Sequence, residues 1–319
     1  MSDVTWGFIG LGNIGYPMAI NLHKNMPASH RLAVLDVNKD AMNRFVREAS
    51  EWAEGNGVGD RLIKVETLNS AREVAEVSTV LITCLPSPEI VKGVFDGILE
   101  DGNLAPLEPD RLFIDCSTIA PPLSREIADA LKTSGQGHFV DAPMSGGVVG
   151  ARAGTLSFMY GAPDSSQLIE RIESVLSCMG KTFWHMGEQG TGVASKLANN
   201  YILSINNIAT AEAMNMGRHW GLDLKLLTDM IKTSTGRCWS VEVNNPVPGV
   251  NEDAPSSHGY RPGGTVNLMK KDLGLAMAGA KASGVALPLA DKAFEIYQAV
   301  AETDGDRDLS VVYQWLQNQ

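Results

Sequence analysis

Lys196 and Asn200 stand four residues apart in the run Gly190-Thr191-Gly192-Val193-Ala194-Ser195-Lys196-Leu197-Ala198-Asn199-Asn200. From Gly190 to Trp220 the chain carries helical periodicity and no proline, which predicts one long helix. On a helix that spacing sets an ammonium and a carboxamide on one face. An ammonium partly desolvated beside other cations has its pKa drawn down towards neutrality, where it can take or return a hydroxyl proton. A carboxamide one turn on can orient a hydroxyl or a carboxylate. Lys271, in Met269-Lys270-Lys271-Asp272-Leu273, is a second candidate cation. Residue type alone leaves the plainer alternative open, since helical lysines commonly just hold their charge in water. Histidine–carboxylate chemistry is not evident, because His23, His30, His138, His185, His219 and His258 fall in no recurring pattern.

A group that handles a hydroxyl proton is useful beside something that accepts a hydride. The apolar run Val4 to Ile9 is followed directly by Gly10-Leu11-Gly12-Asn13-Ile14-Gly15, and then by a helical pattern at Ile14, Met18, Ala19 and Leu22. With 32 glycines in the chain the glycine spacing is weak by itself, and the strand-turn-helix context gives it meaning. The first glycine permits the tight turn, the second admits a pyrophosphate against the backbone, and the third lets helix and strand pack closely. The helix N-terminus favours the anion. A second strand, Leu32 to Leu35, ends at Asp36, an acid placed to accept the adenosine ribose hydroxyls and to repel a 2′-phosphate. NAD is therefore expected over NADP.

The elements that follow bring further loops to the same edge. Ala41, Phe45, Val46 and Ala49 mark an amphipathic helix, Glu51 to Asp60 reads as a surface loop, Leu62 to Val65 as a short strand and Ala71 to Val77 as a helix. Thr79 to Cys84 is a strand buried on both faces, closed by Leu85-Pro86. Leu112 to Asp115 ends in Cys116-Ser117-Thr118, and Phe139 to Pro143 ends in Met144-Ser145-Gly146-Gly147. Ligands of open α/β folds bind at this carboxyl edge. Ser145-Gly146-Gly147 is suited to present successive backbone N–H groups to an anion, with the Ser117 hydroxyl as an added donor. Turn chemistry alone also accounts for each of these loops taken singly. Leu156 to Tyr160 and Phe183 to Met186, flanking a helix over Ser166 to Ser177, are expected to extend the same sheet.

Beyond Gly190 strand signals vanish. Helices are expected over Leu222 to Lys232, Lys270 to Ser283, Asp291 to Ala301 and Ser310 to Leu316. Gly236 to Gly264, rich in proline, glycine and asparagine, is too long for a casual connection and is a candidate functional or interface loop. The fold expected is α/β: a Rossmann-type doubly wound parallel sheet over residues 1–187, then an all-α domain over 188–319 for substrate and oligomerisation.

Composition bounds the function classes. Of 319 residues 44% are hydrophobic and 20% charged, as in an ordinary globular protein of two domains. A net charge of -11 argues against a nucleic-acid or anionic-membrane surface. Cys84, Cys116, Cys178 and Cys238 show no metal-ligand spacing and read as reduced thiols of an intracellular protein. No metal is expected, and no apolar run is long enough for a membrane helix. A strand from Val4 leaves no room ahead of it for a signal or transit peptide, so the chain is expected to act where it is made or to have lost a presequence.

Taken together the motifs resemble those of the β-hydroxyacid dehydrogenase family, whose fold is like that of 6-phosphogluconate dehydrogenase. Gly7 to Ala19 resembles the family's opening signature, and Asp115-Cys116-Ser117-Thr118 and Asp141 to Gly147 its substrate loops. Gly192-x-x-x-Lys196-x-x-x-Asn200 resembles its catalytic helix, and Lys271-Asp272-Leu273 its late lysine motif. Gly236 to Ser240 with Asn245 to Val250 is similar to the hydroxyisobutyrate branch in particular, more than to tartronate or succinic semialdehyde reductases. The 51–60 loop looks longer than usual, and Cys116 stands where a serine is frequent. The resemblance implies Lys196 as general acid/base and Asn200 as a substrate contact, with Ser117, Ser145, Gly146 and Gly147 on the substrate carboxylate. It implies Gly10 to Gly15, Asp36, Leu85, Pro86, Thr118 and Lys271 on the dinucleotide. It further implies NAD-dependent oxidation of 3-hydroxyisobutyrate to methylmalonate semialdehyde in valine degradation, by a homodimer or homotetramer. The expected compartment is the mitochondrial matrix in a eukaryote and the cytoplasm otherwise. A sister semialdehyde reductase is the nearest alternative. An imine reductase is disfavoured by the presence of Lys196, and a non-catalytic nucleotide-binding module by the full set of polar site residues.

Overall fold

The computed structural model describes residues 4–55, 64–100, 102–107 and 110–319. They form two compact units, Met1–Lys196 and Leu197–Gln319.

In the first unit strands and helices alternate: β1 (Thr5–Ile9), α1 (Gly15–Asn25), β2 (Arg31–Leu35), α2 (Lys39–Gly55), β3 (Val65–Thr67), α3 (Ala71–Val77), β4 (Val80–Thr83), α4 (Pro88–Leu99), β5 (Leu112–Asp115), α5 (Pro121–Thr133) and β6 (His138–Asp141). The strands make one parallel sheet in the order β3-β2-β1-β4-β5-β6. Successive side chains of a strand point to opposite faces. Accordingly Phe8, Val34, Ile82, Ile114 and Val140 pack in one apolar cluster, and Ile9, Ala33, Leu81, Phe113 and Phe139 in another. Helices cover both faces of a sheet built this way, which is why its strands read as unbroken apolar runs. This is the doubly wound architecture expected.

Two expectations about this unit are corrected. Helix α2 runs on to Gly55, so residues 51–55 are helical rather than looped, while 56–60 and Leu62-Ile63 lie outside the described residues. The strands β8 (Leu156–Tyr160) and β9 (Gly180–His185) do not extend the large sheet. With β7 (Met144–Ser145) they form a second sheet, β7-β8-β9, around α6 (Gly147–Ala153) and α7 (Ser166–Leu176). Pro143 has no N–H to continue a ladder, and the chain leaves the large sheet after Asp141. It then pairs antiparallel in β7–β8, tied back by Met159 N–H to Pro143 C=O at 3.0 Å and an isolated Asp141–Gly161 bridge. Helix α4, unassigned from sequence, begins at a Ser87 cap whose hydroxyl accepts from Ile90 N–H, with Pro88 in the first turn.

Helix α8 (Thr191–His219) runs across the division between units. The second unit continues with α9 (Leu224–Lys232), α10 (Trp239–Glu242), α11 (Val266–Ala282), α12 (Ala290–Asp304) and α13 (Val312–Leu316). Its core holds Ile208, Ala211, Met214, Leu273, Tyr297 and Val300. Gly236 to Gly264 is not a bare loop: it contains α10 and a 3-10 turn at Pro255–His258. Val247 and Tyr260 enter the core, and buried Ser256 donates its hydroxyl to the backbone carbonyl of buried Asn245 at 2.6 Å. Among the described residues no helix is long and apolar enough to cross a membrane.

Candidate active site

The first loop is shaped by three glycines with different reasons. Gly10 has φ +104°, and a Cβ there would collide with the Cys84 carbonyl oxygen; a Cβ on Gly15 would collide with the Gly10 carbonyl. Both close the strand-to-helix turn. Gly12 differs, since a Cβ would meet nothing within 4 Å. The protein's own packing does not require that glycine, whereas a pyrophosphate laid against the backbone does. No side chain caps α1, which leaves its N-terminal N–H groups suited to an anion. Asn13 is exposed and Ile14 half-buried. At the end of β2, Asp36 accepts Leu11 N–H through Oδ2 at 2.6 Å and Asn38 N–H through Oδ1 at 2.7 Å. The chain thus presents a cradle that fits a dinucleotide.

At the ends of β4 and β5 the buried Asp115 gathers donors on Oδ1: Thr83 Oγ1 at 2.7 Å, Ser117 Oγ at 2.6 Å and Ser117 N–H at 3.1 Å. Ser117 Oγ in turn accepts Leu85 N–H at 2.9 Å. The expectation was a hydroxyl that donates to an anion; here it is engaged by Asp115 and Leu85. Its single proton is given to Asp115, and the side chain couples two loops instead. Thr118 and Leu85 are half-buried and Pro86 is exposed beside them. Ser145 pairs with Ser157 in β7–β8, and Gly146 and Gly147 follow with φ +127° and +59°. Two successive residues of positive φ are what glycine permits without strain.

The start of α8 is fastened to the sheet by Asp141, fully buried at the end of β6. Its Oδ1 accepts Gln189 Nε2 at 2.8 Å and Gly190 N–H at 2.7 Å, and its Oδ2 accepts Val193 N–H at 2.8 Å. Burial pushes its carboxyl up to about 6; the backbone donors pull against this and the neighbouring Asp115 adds to it. Lys196, half-buried, lies three residues beyond Val193 on the same helix.

In the second unit Asn200 is buried, and its Nδ2 donates to Asp272 Oδ2 at 2.7 Å while its Oδ1 accepts from Asn199 at 3.1 Å. The Lys271 ammonium lies 3.3 Å from the other Asp272 oxygen. Sequence reasoning assigned no role to Asp115, Asp141 or Asp272. A charge closing an otherwise apolar strand, as in Leu-Phe-Ile-Asp and Phe-Val-Asp, was the available signal for the first two.

Known proteins resemble this chain over almost its whole length. Residues 5–187 match the family model described as the NAD binding domain of 6-phosphogluconate dehydrogenase, and residues 190–316 the one described as NAD-binding of NADP-dependent 3-hydroxyisobutyrate dehydrogenase. A probable mitochondrial 3-hydroxyisobutyrate dehydrogenase of Dictyostelium discoideum is 43% identical, over 99% of this chain and 91% of its own. An NAD-dependent L-serine dehydrogenase of Pseudomonas aeruginosa is 38% identical, over 96% and 95%. The solved 3-hydroxyisobutyrate dehydrogenase of Mycobacterium tuberculosis with L-serine superposes with a TM-score of 0.83 at 36% identity, covering 99% of both chains. On fold, on loop geometry and on likeness over almost its whole length, the chain belongs to the 3-hydroxyisobutyrate dehydrogenase family of β-hydroxyacid dehydrogenases, NAD(P)-binding oxidoreductases.

Proposed function

We propose that the chain oxidises 3-hydroxyisobutyrate to methylmalonate semialdehyde with NAD, a step of valine degradation, and that Lys196 handles the hydroxyl proton. The observation that carries this reading is a half-buried lysine early in a helix within the unit that also holds the dinucleotide cradle. The nicotinamide, when bound, takes the hydride. Lys196 as a neutral amine takes the hydroxyl proton in oxidation and returns it to the carbonyl oxygen in reduction. Ser145, Gly146 and Gly147 offer backbone donors to the substrate carboxylate, and Asn200, one turn beyond Lys196, contacts the substrate. Gly10 to Gly15, Asp36, Leu85, Pro86, Thr118 and Lys271 hold the cofactor. Asp36 favours NAD through repulsion of a 2′-phosphate.

A second reading is specifically favoured by two of the similar proteins, which are described with L-serine, itself a 3-hydroxy acid. Initial rates with 3-hydroxyisobutyrate, L-serine, glycerate and 4-hydroxybutyrate, each with NAD and NADP, separate the two. The highest kcat/KM is expected for 3-hydroxyisobutyrate with NAD. A tenfold lead for L-serine replaces the substrate, and no reduction with any acid overturns the catalytic reading. Lys196→Ala is expected to lower kcat by ~10²–10⁴ with NAD affinity retained. Near-normal turnover in that variant refutes the lysine's role.

The same reading includes a homodimer or homotetramer formed through the helical half. Trp220, Leu226 and Met230, at 70%, 69% and 50% exposure, are costly to leave in water and support it. Sedimentation velocity should give at least twice the chain mass; a monomer at micromolar concentration contradicts it.

A further inference from the structure

Asp141 takes no part in the proton transfer proposed above, yet it is a fully buried carboxylate. Burying such a charge is costly unless donors satisfy it. Its three donors come from Gln189, Gly190 and Val193, all at the entry to α8. The seating there is close. A Cβ on Gly192 would stand 2.6 Å from the Met159 carbonyl, 2.7 Å from the Asp141 carbonyl and 2.9 Å from Asp141 Oδ2. A Cβ on Gly161 would stand 2.7 Å from Asp141 Oδ1. Glycine at both positions lets the helix start approach the strand end at backbone distance. Val193 also enters the apolar cluster on that face of the sheet. The first turn of α8 is therefore fixed in both rotation and advance, and Lys196 follows less than one turn later.

We infer that Asp141 is a positioning residue for the oxidation, acting through Lys196 by setting where the start of α8 stands. This inference rests on the reading of Lys196 as acid/base. The charged side chains that the described residues place near Asp141 are Asp115, opposite it in the strand register, and Arg125, whose guanidinium is 2.8 Å from where a Cβ would stand on Gly190; Glu188 comes close through its backbone carbonyl, beside Gly161, and is exposed. Ionised, the carboxylate accepts all three donors. Protonated, one oxygen becomes a donor and faces an N–H, so the helix start loosens.

The test uses the full-length enzyme with Asp141→Asn, Lys196→Ala and the double variant. Asp141→Asn is expected to lower kcat about 10- to 100-fold, the scale of a small misplacement of a reacting group, with KM for NAD nearly unchanged. Amide exchange at Gly190 and Val193 should quicken, and the part of the acid limb of the kcat profile that Asp141 is expected to contribute near pH 6 should be lost. The double variant should be no slower than Lys196→Ala, as expected of two residues acting through one group. Additive losses, or an unchanged kcat in Asp141→Asn beside a slow Lys196→Ala, overturn the positioning role alone. Near-normal turnover in Lys196→Ala overturns the reading beneath it and this inference together. Should Asp141→Asn not fold, Gln189→Leu removes one half-buried donor and leaves the charge. A severalfold fall in kcat with KM for NAD retained is then expected, and an unchanged kcat overturns the inference.

Discussion

Leu11 donates its backbone N–H to Asp36 Oδ2 across 2.6 Å, so the acid that ends β2 also holds the first glycine loop in place. Two effects of Asp36 can therefore be separated by substitution. Asp36→Asn keeps an acceptor for Leu11 and removes the charge; Asp36→Ala removes both. The asparagine variant is expected to narrow the preference for NAD over NADP by about tenfold, near 1.4 kcal/mol, with a small change in kcat/KM for NAD. The alanine variant should lose about tenfold or more in kcat/KM for NAD as well, because the loop loses its anchor. Steady-state kinetics with both cofactors decide it. Equal use of NADP by the unmutated enzyme contradicts the assignment of Asp36.

Ser117 offers a test of coupling between loops. Its hydroxyl accepts from Leu85 N–H and donates to buried Asp115. Ser117→Ala leaves both without that partner, and a buried unsatisfied group costs about 1–3 kcal/mol. The expected result is a clear fall in the unfolding midpoint, larger in energy than any rise in KM for the hydroxy acid. A tenfold rise in that KM at unchanged stability would instead return Ser117 to the substrate.

Much of the fold was legible because its signals are local. The apolar run Leu112 to Asp115 coincides with β5, the helix expected over Ala71 to Val77 with α3, and the proline-free stretch after Gly190 with α8. What was not legible depends on pairing at long range. Leu156 to Tyr160 reads as a strand in isolation, but whether it joins the large sheet is decided by Pro143, which has no N–H for a ladder, and by Met159 N–H reaching back to its carbonyl. The site divides in the same way. The glycine loop and Asp36 announce themselves by spacing, whereas the hold of Asp141 on Val193, 52 residues away, has no counterpart in the local sequence.

Asn200 and Asp272 form a buried pair across 72 residues at 2.7 Å. Asn200→Ala leaves buried Asp272 Oδ2 without its donor while Lys271 still faces Oδ1, and a loss of about 1–3 kcal/mol is expected in urea unfolding. Asn200→Asp is the sharper probe, since it sets two carboxylates against each other where one proton can be shared. Its destabilisation should be larger at pH 7.5 than at pH 5, because protonation relieves the repulsion. Equal loss at both pH values would mean that the pair is not closed in solution.

Asp141 makes the last prediction, in which stability and activity run in opposite directions with pH. Its carboxyl is pushed up to about 6 by burial, from 3.8 in the unfolded chain. Between those values the folded protein keeps a proton that the unfolded chain has released. Stability from this group is thus fully present below pH 3.8, declines as pH rises towards 6, and is flat above. At about 1.4 kcal/mol per pH unit the whole window amounts to about 3 kcal/mol. Unfolding free energies of the unmutated protein and Asp141→Asn, compared from pH 4 to pH 7, isolate it from other titrations. The unmutated protein should lose ground to the variant by about 2.4 kcal/mol across that range, and a constant difference would refute the raised carboxyl. Activity should rise over the same interval, since only the ionised form accepts Gly190, Val193 and Gln189 together. The fold thus gives up stability at neutral pH to keep the start of α8 on a charge.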